Sequence, residues 1–383
     1  MARNIAILTL CAALILAAAG CPKRLPTPEQ AKPGEQSTLL AVGWSAGPIV
    51  DVDRALVHSG RGVLLIGEQG TWVEHPLQYQ SPSWALYNAR RIGERTLVLG
   101  FDEQAAQPLA WWYDAGRIER IKTAQCSDAF LSDCDQGPDG VLRCVGWSAE
   151  RNPVTAEIKT GVLTCEPQPA LELPTLLHRV ECYGQERALA VGEYVVGPGP
   201  GSRGLLYSLD QGSWSAINPV GVASSWSLYA ADLAEDGSGY LVGVDHERTQ
   251  GLLMRWNGHA LTRIDLPRYA QSWSINDLDC DDAGRCLLAA SLFPGEGLLL
   301  LWRGDDVIEL SALHPNRLHR FERIQRLSGG GLALCGSGVS DGFGFVMLQQ
   351  AGTQRLVEFP ELGASGGYAI SAICELPPAT QAP

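Results

Sequence analysis

Amphipathic helical periodicity is almost missing from residue 38 onward, which argues against helix bundles and alternating strand–helix folds. Basic residues are scarce: 29 Lys and Arg face 42 Asp and Glu, a net charge of −13 that opposes binding to nucleic acid or anionic lipid. No nucleophile elbow, phosphate-binding loop or dinucleotide fingerprint occurs. The seven histidines are scattered, and no two stand four apart as a helical ligand pair would. No metal or cofactor is therefore expected. Long apolar runs are also lacking, apart from Ile5 to Ala19, which is shorter than the ~20 residues of a comfortable membrane span.

That run follows Arg3 and ends in small residues, the layout of a secretory signal peptide over 1–20. Its end, Leu16-Ala17-Ala18-Ala19-Gly20-Cys21, resembles a bacterial lipobox, with Ala18 where Leu is usual. The resemblance implies that Cys21 is diacylated and becomes the new N-terminus. Pro22 after the cysteine, rather than Asp, implies sorting to the outer membrane in a Gram-negative cell. Residues 21–37, with prolines at 22, 26, 28 and 33, cannot build a core and favour extended polyproline geometry. At ~3.1 Å per residue, such a tether holds a domain roughly 50 Å from the lipid. Membrane contact is thus expected through the lipid alone. Loss of Arg3 with the leader takes the charge to −14.

The body repeats. Apolar strands end in glycine at Gly43, Gly100, Gly146, Gly192, Gly243 and Gly336, with Ala290 in the equivalent place. A second series marks tight turns at Gly70, Gly116, Gly161, Gly212, Gly258, Gly304 and Gly352. A period near 47 residues built from four short strands is the size of a propeller blade. Ser83-Trp84-Ala85-Leu86, Ser225-Trp226-Ser227-Leu228 and Ser272-Trp273-Ser274-Ile275 open repeats, and Gly367-Tyr368-Ala369-Ile370 echoes them near the end. The fold expected is all-β, a seven-bladed β-propeller over 38–378 closed by the C-terminal strand joining the first blade. The blades are set at 38–80 with 365–376, then 81–125, 126–169, 170–222, 223–268, 269–315 and 316–364, with a tail at 379–383.

Turns such as Ser208-Leu209-Asp210-Gln211-Gly212-Ser213-Trp214 resemble degenerate Asp-box (BNR) repeats of sialidase-like propellers, where that turn is structural. The Phe/Tyr-Arg-Ile-Pro segment of sialidases is absent. Most of the eleven tryptophans fall at repeat-equivalent places and read as blade-to-blade packing. Cys134 and Cys144 straddle one expected hairpin turn, and Cys280 and Cys286 another, so disulfides Cys134–Cys144 and Cys280–Cys286 are expected. Cys126, Cys165, Cys182, Cys335 and Cys374 are left unassigned. Asp277-Leu278-Asp279-Cys280-Asp281 alternates acids like a calcium loop but lacks its Gly and Glu, and reads as turn-forming aspartates.

Two features suggest a site. Leu177-His178-Arg179-Val180-Glu181 matches Leu318-His319-Arg320-Phe321-Glu322, so His178, Arg179, His319 and Arg320 are candidates to line the central channel. Most repeats take 14–16 residues from second-strand glycine to turn glycine, but the first takes 27 and the fourth 20. The insertions, 46–60 and 194–204, are candidate binding loops carrying Asp51, Asp53, Arg54, His58 and Tyr194. The leading expectation is a non-enzymatic binding or scaffold propeller of the outer membrane contacting a protein or glycan. A carbohydrate-active enzyme is the alternative, requiring carboxylates with Tyr or Arg at the channel mouth, one of them with a shifted pKa. A structural envelope protein without a specific ligand is the third.

Overall fold

Leu-, Val- and Ala-rich runs, broken by Gly, Asp and Asn, set short strands joined by tight turns. The computed structural model describes residues 38–377 except 53–54, 69–70, 82, 197–200, 220–221, 305, 313–318, 339–343, 351–352 and 359–367. The leader, Cys21 and the tether lie outside the described residues. Among those described, 29 strands and no helix form seven sheets, and the inner strand of each packs on the next around a closed ring.

From the channel outward, blade 2 runs Trp84–Ile92, Arg95–Asp102, Gln107–Asp114 and Arg117–Arg120. The inner strands of blades 3 to 7 are Ala129–Gln136, Thr175–Gly184, Trp226–Leu233, Trp273–Cys280 and His319–Arg326. Blade 3 takes a fifth strand, Lys122–Ala124, parallel to its outer Val162–Pro167. Blade 1 is composite. Its inner strand, Tyr368–Glu375, pairs antiparallel with Leu39–Val52, joining the two ends of the described chain in one sheet.

The first glycine series has a single cause. In every blade the ladder between inner and second strands skips an inner-strand residue at the same level: Ser371, Tyr87, Ser132, His178, Tyr229, Asn276 and Glu322 in blades 1 to 7, blade 4 skipping Tyr183 as well. Such a β-bulge bends the inner strand and re-aims the extra side chain. It also pushes an inner-strand carbonyl onto the facing residue. A Cβ at Gly43, Gly100, Gly146, Gly192, Gly243 or Gly336 would stand 1.8–2.4 Å from that oxygen.

A further glycine set seats the next blade. Gly62, Gly204 and Gly251 lie under the rings of Trp84, Trp226 and Trp273, which are 2–3% exposed. Those tryptophans are inter-blade core, each adding a large apolar area at the seam.

Carboxylates complete the seams. Inner strands of adjacent blades belong to different sheets, so N–H groups along their edges need other acceptors. Asp133 and Asp135 accept from the Val180 and Cys182 amides, Asp277 and Asp279 from those of Ile324 and Arg326, and Asp232 from that of Cys280, at 2.6–3.0 Å. Asp277 and Asp279 are therefore strand residues, whereas Asp281 alone of that run caps a turn, accepting from Ala283 and Arg285. Disulfides join Cys134 to Cys144, Cys280 to Cys286 and Cys126 to Cys165; Cys335 and Cys374 are free and buried, and Cys182 is free.

Candidate functional site

The bulges build the channel mouth. All seven residues skipped at the common level line one recess of about 450 Å³, together with Trp44, Phe130, Arg320, Arg323 and Ser337. Three of the seven work as staples: Ser132, Asn276 and Ser371 donate to the carbonyls of Leu177, Phe321 and Leu86 on the next inner strand. The other four, Tyr87, His178, Tyr229 and Glu322, make no such staple among the described residues and line the recess.

Aromatic rings make a continuous arc around this mouth. Trp44 meets Tyr87 at 5.6 Å between centroids, Tyr87 meets Phe130 at 4.8 Å, and Phe130 stacks on Trp147 at 4.4 Å. Trp147 and Tyr229 both take edge contacts with His178, at 6.2 and 5.7 Å. Trp44 and Trp147, two of the eleven tryptophans, are half-buried, and Trp44 lines the recess. Beside the arc, His178 Nε2 lies 3.5 Å from Oε1 of Glu193, which faces Leu176 on the second strand of blade 4. Burial pushes the Glu193 carboxyl up, but His178 and the Ser227 hydroxyl outweigh it and hold the group down at about 2.

Deeper, a second chamber of about 200 Å³ carries four arginines and four carboxylates among uncharged residues. Arg90 bridges Glu181 and Asp135 at 3.0 Å, with Asp133 at 3.7 Å. Arg179 spans Asp277 at 2.5 Å and Asp133 at 3.7 Å. Burial and the charge of Asp135, opposed by Arg90, raise the Glu181 carboxyl to about 8. Burial raises Asp232 to about 6 against the hydrogen bond from Cys280. Arg323 lines both chambers, as floor of the upper and roof of the lower.

The expected channel set is partly re-registered. His178 and Arg179 line the channel, but their match to His319 and Arg320 is out of phase. Gly192 faces Leu177 and Gly336 faces Phe321, so the counterparts of His178 and Arg179 are Glu322 and Arg323. Arg320 is exposed at the rim and pairs with Glu322 at 2.9 Å; the His319 side chain lies outside the described residues. The signal was present: Arg179 precedes Gly192 by the same 13 residues by which Arg323 precedes Gly336.

The expected loops differ too. Across 46–60, blade 1 extends its second and third strands into a hairpin arm, with Ile49 facing His58 and Asp51 facing Leu56. The side chains of Asp51 and His58, and all of Asp53 and Arg54, lie outside the described residues. Tyr194 is no loop residue. It is 8% exposed in strand Arg187–Val195, and its hydroxyl donates to Asn218. Turns between second and third strands emerge where the inner strands begin, so this arm and the blade 4 loop share the face of the aromatic mouth. Phe293, 73% exposed at the corresponding turn of blade 6, joins them.

Comparison with solved structures agrees with the ring. A protein from Lactobacillus plantarum superposes with TM-score 0.58 at 9% identity, covering 88% of this chain and 99% of that one. YCF48 from Cyanidioschyzon merolae gives 0.50 at 12% identity, covering 76% and 89%. A puromycin-hydrolyzing peptidase of Mycobacterium tuberculosis gives 0.49 at 12% identity over 79% of this chain, which spans 50% of that peptidase. The likeness is one of fold. No protein-family profile matches the chain, and no curated protein matches it. Of the arc, sequence reasoning found only His178; Tyr87 and Tyr229 are re-aimed by bulges, which leave no composition signal beyond the partner glycine.

Proposed function

We propose that this chain is a lipid-anchored, non-enzymatic binding propeller of the cell envelope that engages a protein or glycan at the mouth of its channel. The observation that carries the reading is the recess of about 450 Å³ walled by Trp44, Tyr87, Phe130 and Tyr229. Flat rings beside a few polar groups are the usual lining of a ligand site. The hairpin arm of blade 1 and exposed Phe293 widen the same face for a larger partner. The anchor rests on Cys21 and the proline-rich tether in the sequence. At the mouth, Glu322 is tied to Arg320 and Glu193 is held ionised by His178, an arrangement that suits holding a ligand better than proton transfer. The raised carboxyls of Glu181 and Asp232, which a hydrolase would need, line the smaller chamber below.

Glycan-array screening of the mature chain beside a Tyr87→Ala/Tyr229→Ala variant tests the reading for sugars. Binding by wild type that the folded variant loses supports it; equal binding by both moves the site away from the mouth.

A further inference from the structure

We infer that Arg323 receives the carboxylate of a small ring-bodied ligand whose ring lies against the aromatic arc; this rests on the mouth reading above. At this level of the channel the seven inner strands present Ala372, Asn88, Asp133, Arg179, Ala230, Asp277 and Arg323. Both carboxylates of the layer are already engaged. Asp133 accepts from Asn88 and the Val180 amide, Asp277 accepts from Arg179 and the Ile324 amide, and Arg179 reaches both. Arg323 has no hydrogen bond or ion pair among the described residues, and its Nε is buried without a partner. On the blade 1 side the layer offers only the methyl of Ala372.

Arg323 is half-buried with its Nε shut off from water, and a charge partly withdrawn from water gains from a counter-charge or strong hydrogen bonds. Burial and the nearby charge of Arg179 both work against its protonated form, while Asp277 and Asp133 support it from a distance. A planar carboxylate arriving from the upper chamber would take two parallel N–H donors of the fork. One negative charge fits better than two, since Asp133, Asp277 and Glu322 stand nearby. The body of such a molecule would then lie in the recess among Tyr87, Phe130 and Tyr229. An acidic sugar and an aromatic acid share this chemistry.

The test uses the full mature chain, with D-glucuronate, benzoate, neutral methyl glucoside and inorganic phosphate at matched ionic strength, read by ligand-observed NMR and thermal melting. Glucuronate or benzoate is expected to bind and raise the melting temperature of wild type, with phosphate weaker; whichever binds identifies the source. Arg323→Gln is expected to weaken that binding by about tenfold or more, with partial recovery in Arg323→Lys. Carboxylate binding that is equal in wild type and Arg323→Gln overturns the inference, as does a wild-type melt unmoved by either acid. The wild-type melts decide the matter even where the variants fail to fold. Methyl glucoside binding without preference for the acids overturns the carboxylate and leaves the mouth reading standing. Loss of array binding by the tyrosine variant belongs to the mouth reading alone.

Discussion

At the scale of single residues, the glycine opposite the inner-strand bulge in six of the seven blades was legible as a period but not as a cause. It stands where a bulged carbonyl closes on the chain, and its absence at Ala290 shows that one blade can open enough for a methyl. A branched side chain asks for more. Gly243→Val should destabilise by about 3 kcal/mol, since the Ser227 carbonyl lies 1.9 Å from any Cβ there. Denaturant unfolding checks this, and a loss below about 0.5 kcal/mol would remove the steric argument. Titration offers a second check. Glu181 sits at about 8 against an ordinary 4.5, so the folded chain holds a proton that the unfolded chain releases. Its contribution is full below about 4.5 and fades as pH rises through 8; Asp232, at about 6, acts with the same sign. Glu193 acts oppositely, losing its contribution as pH falls from its ordinary 4.5 through 2. Stability should therefore decline between about pH 4.5 and 8 in wild type and decline less in Glu181→Gln, measured by melts across that range. The Arg179 and Arg320 pairing misled for a physical reason. Local likeness of five residues carries no register, whereas distance to the bulge glycine does.

At the scale of elements, each blade is built on four antiparallel strands, with a fifth, parallel edge strand in blade 3 and a C-terminal inner strand in blade 1, and its inner edge is sealed by the neighbouring blade. Turn glycines and alternating burial made these strands readable. The hairpin arm over 46–60 was not, because Gly47-Pro48 within it reads as a loop signal and the bulge between Ala46 and Ile49 carries the ladder past them. The Lys122–Ala124 strand was equally hidden: three residues in a parallel edge pair leave too short a pattern to see. The closing strand is the element on which the ring depends. Its Ala372 and Cys374 pack in one core cluster with Trp84 and Leu86 of blade 2, and its Ile370 and Ile373 in another with Ala333 and Val346 of blade 7. Glu375 also accepts from the Ser328 amide of blade 7. Truncation after Ser365 should strip both seams and lower the melting temperature by several degrees or more, as about 1 kcal/mol already moves a chain of this class by about 2–4 °C. An unchanged melt would mean that the ring closes without this strand.

At the scale of the whole molecule, period, blade number and closure were legible because a propeller repeats its constraints seven times. The site was not, because the ring brings together residues as distant as Trp44, His178 and Glu322, each from a different blade. Their common signature is position relative to a bulge. The central claim is that partners meet the mouth face and not the rim of the outer strands. The most direct measurement places a photo-cross-linking amino acid in living cells at Ser337, beside the recess, and in parallel at exposed Thr262 in the outer strand of blade 5. The account predicts a discrete covalent adduct from position 337 that Tyr87→Ala/Tyr229→Ala abolishes, and none from 262. Adducts from 262 alone, or from both positions unaffected by the tyrosine changes, would contradict it.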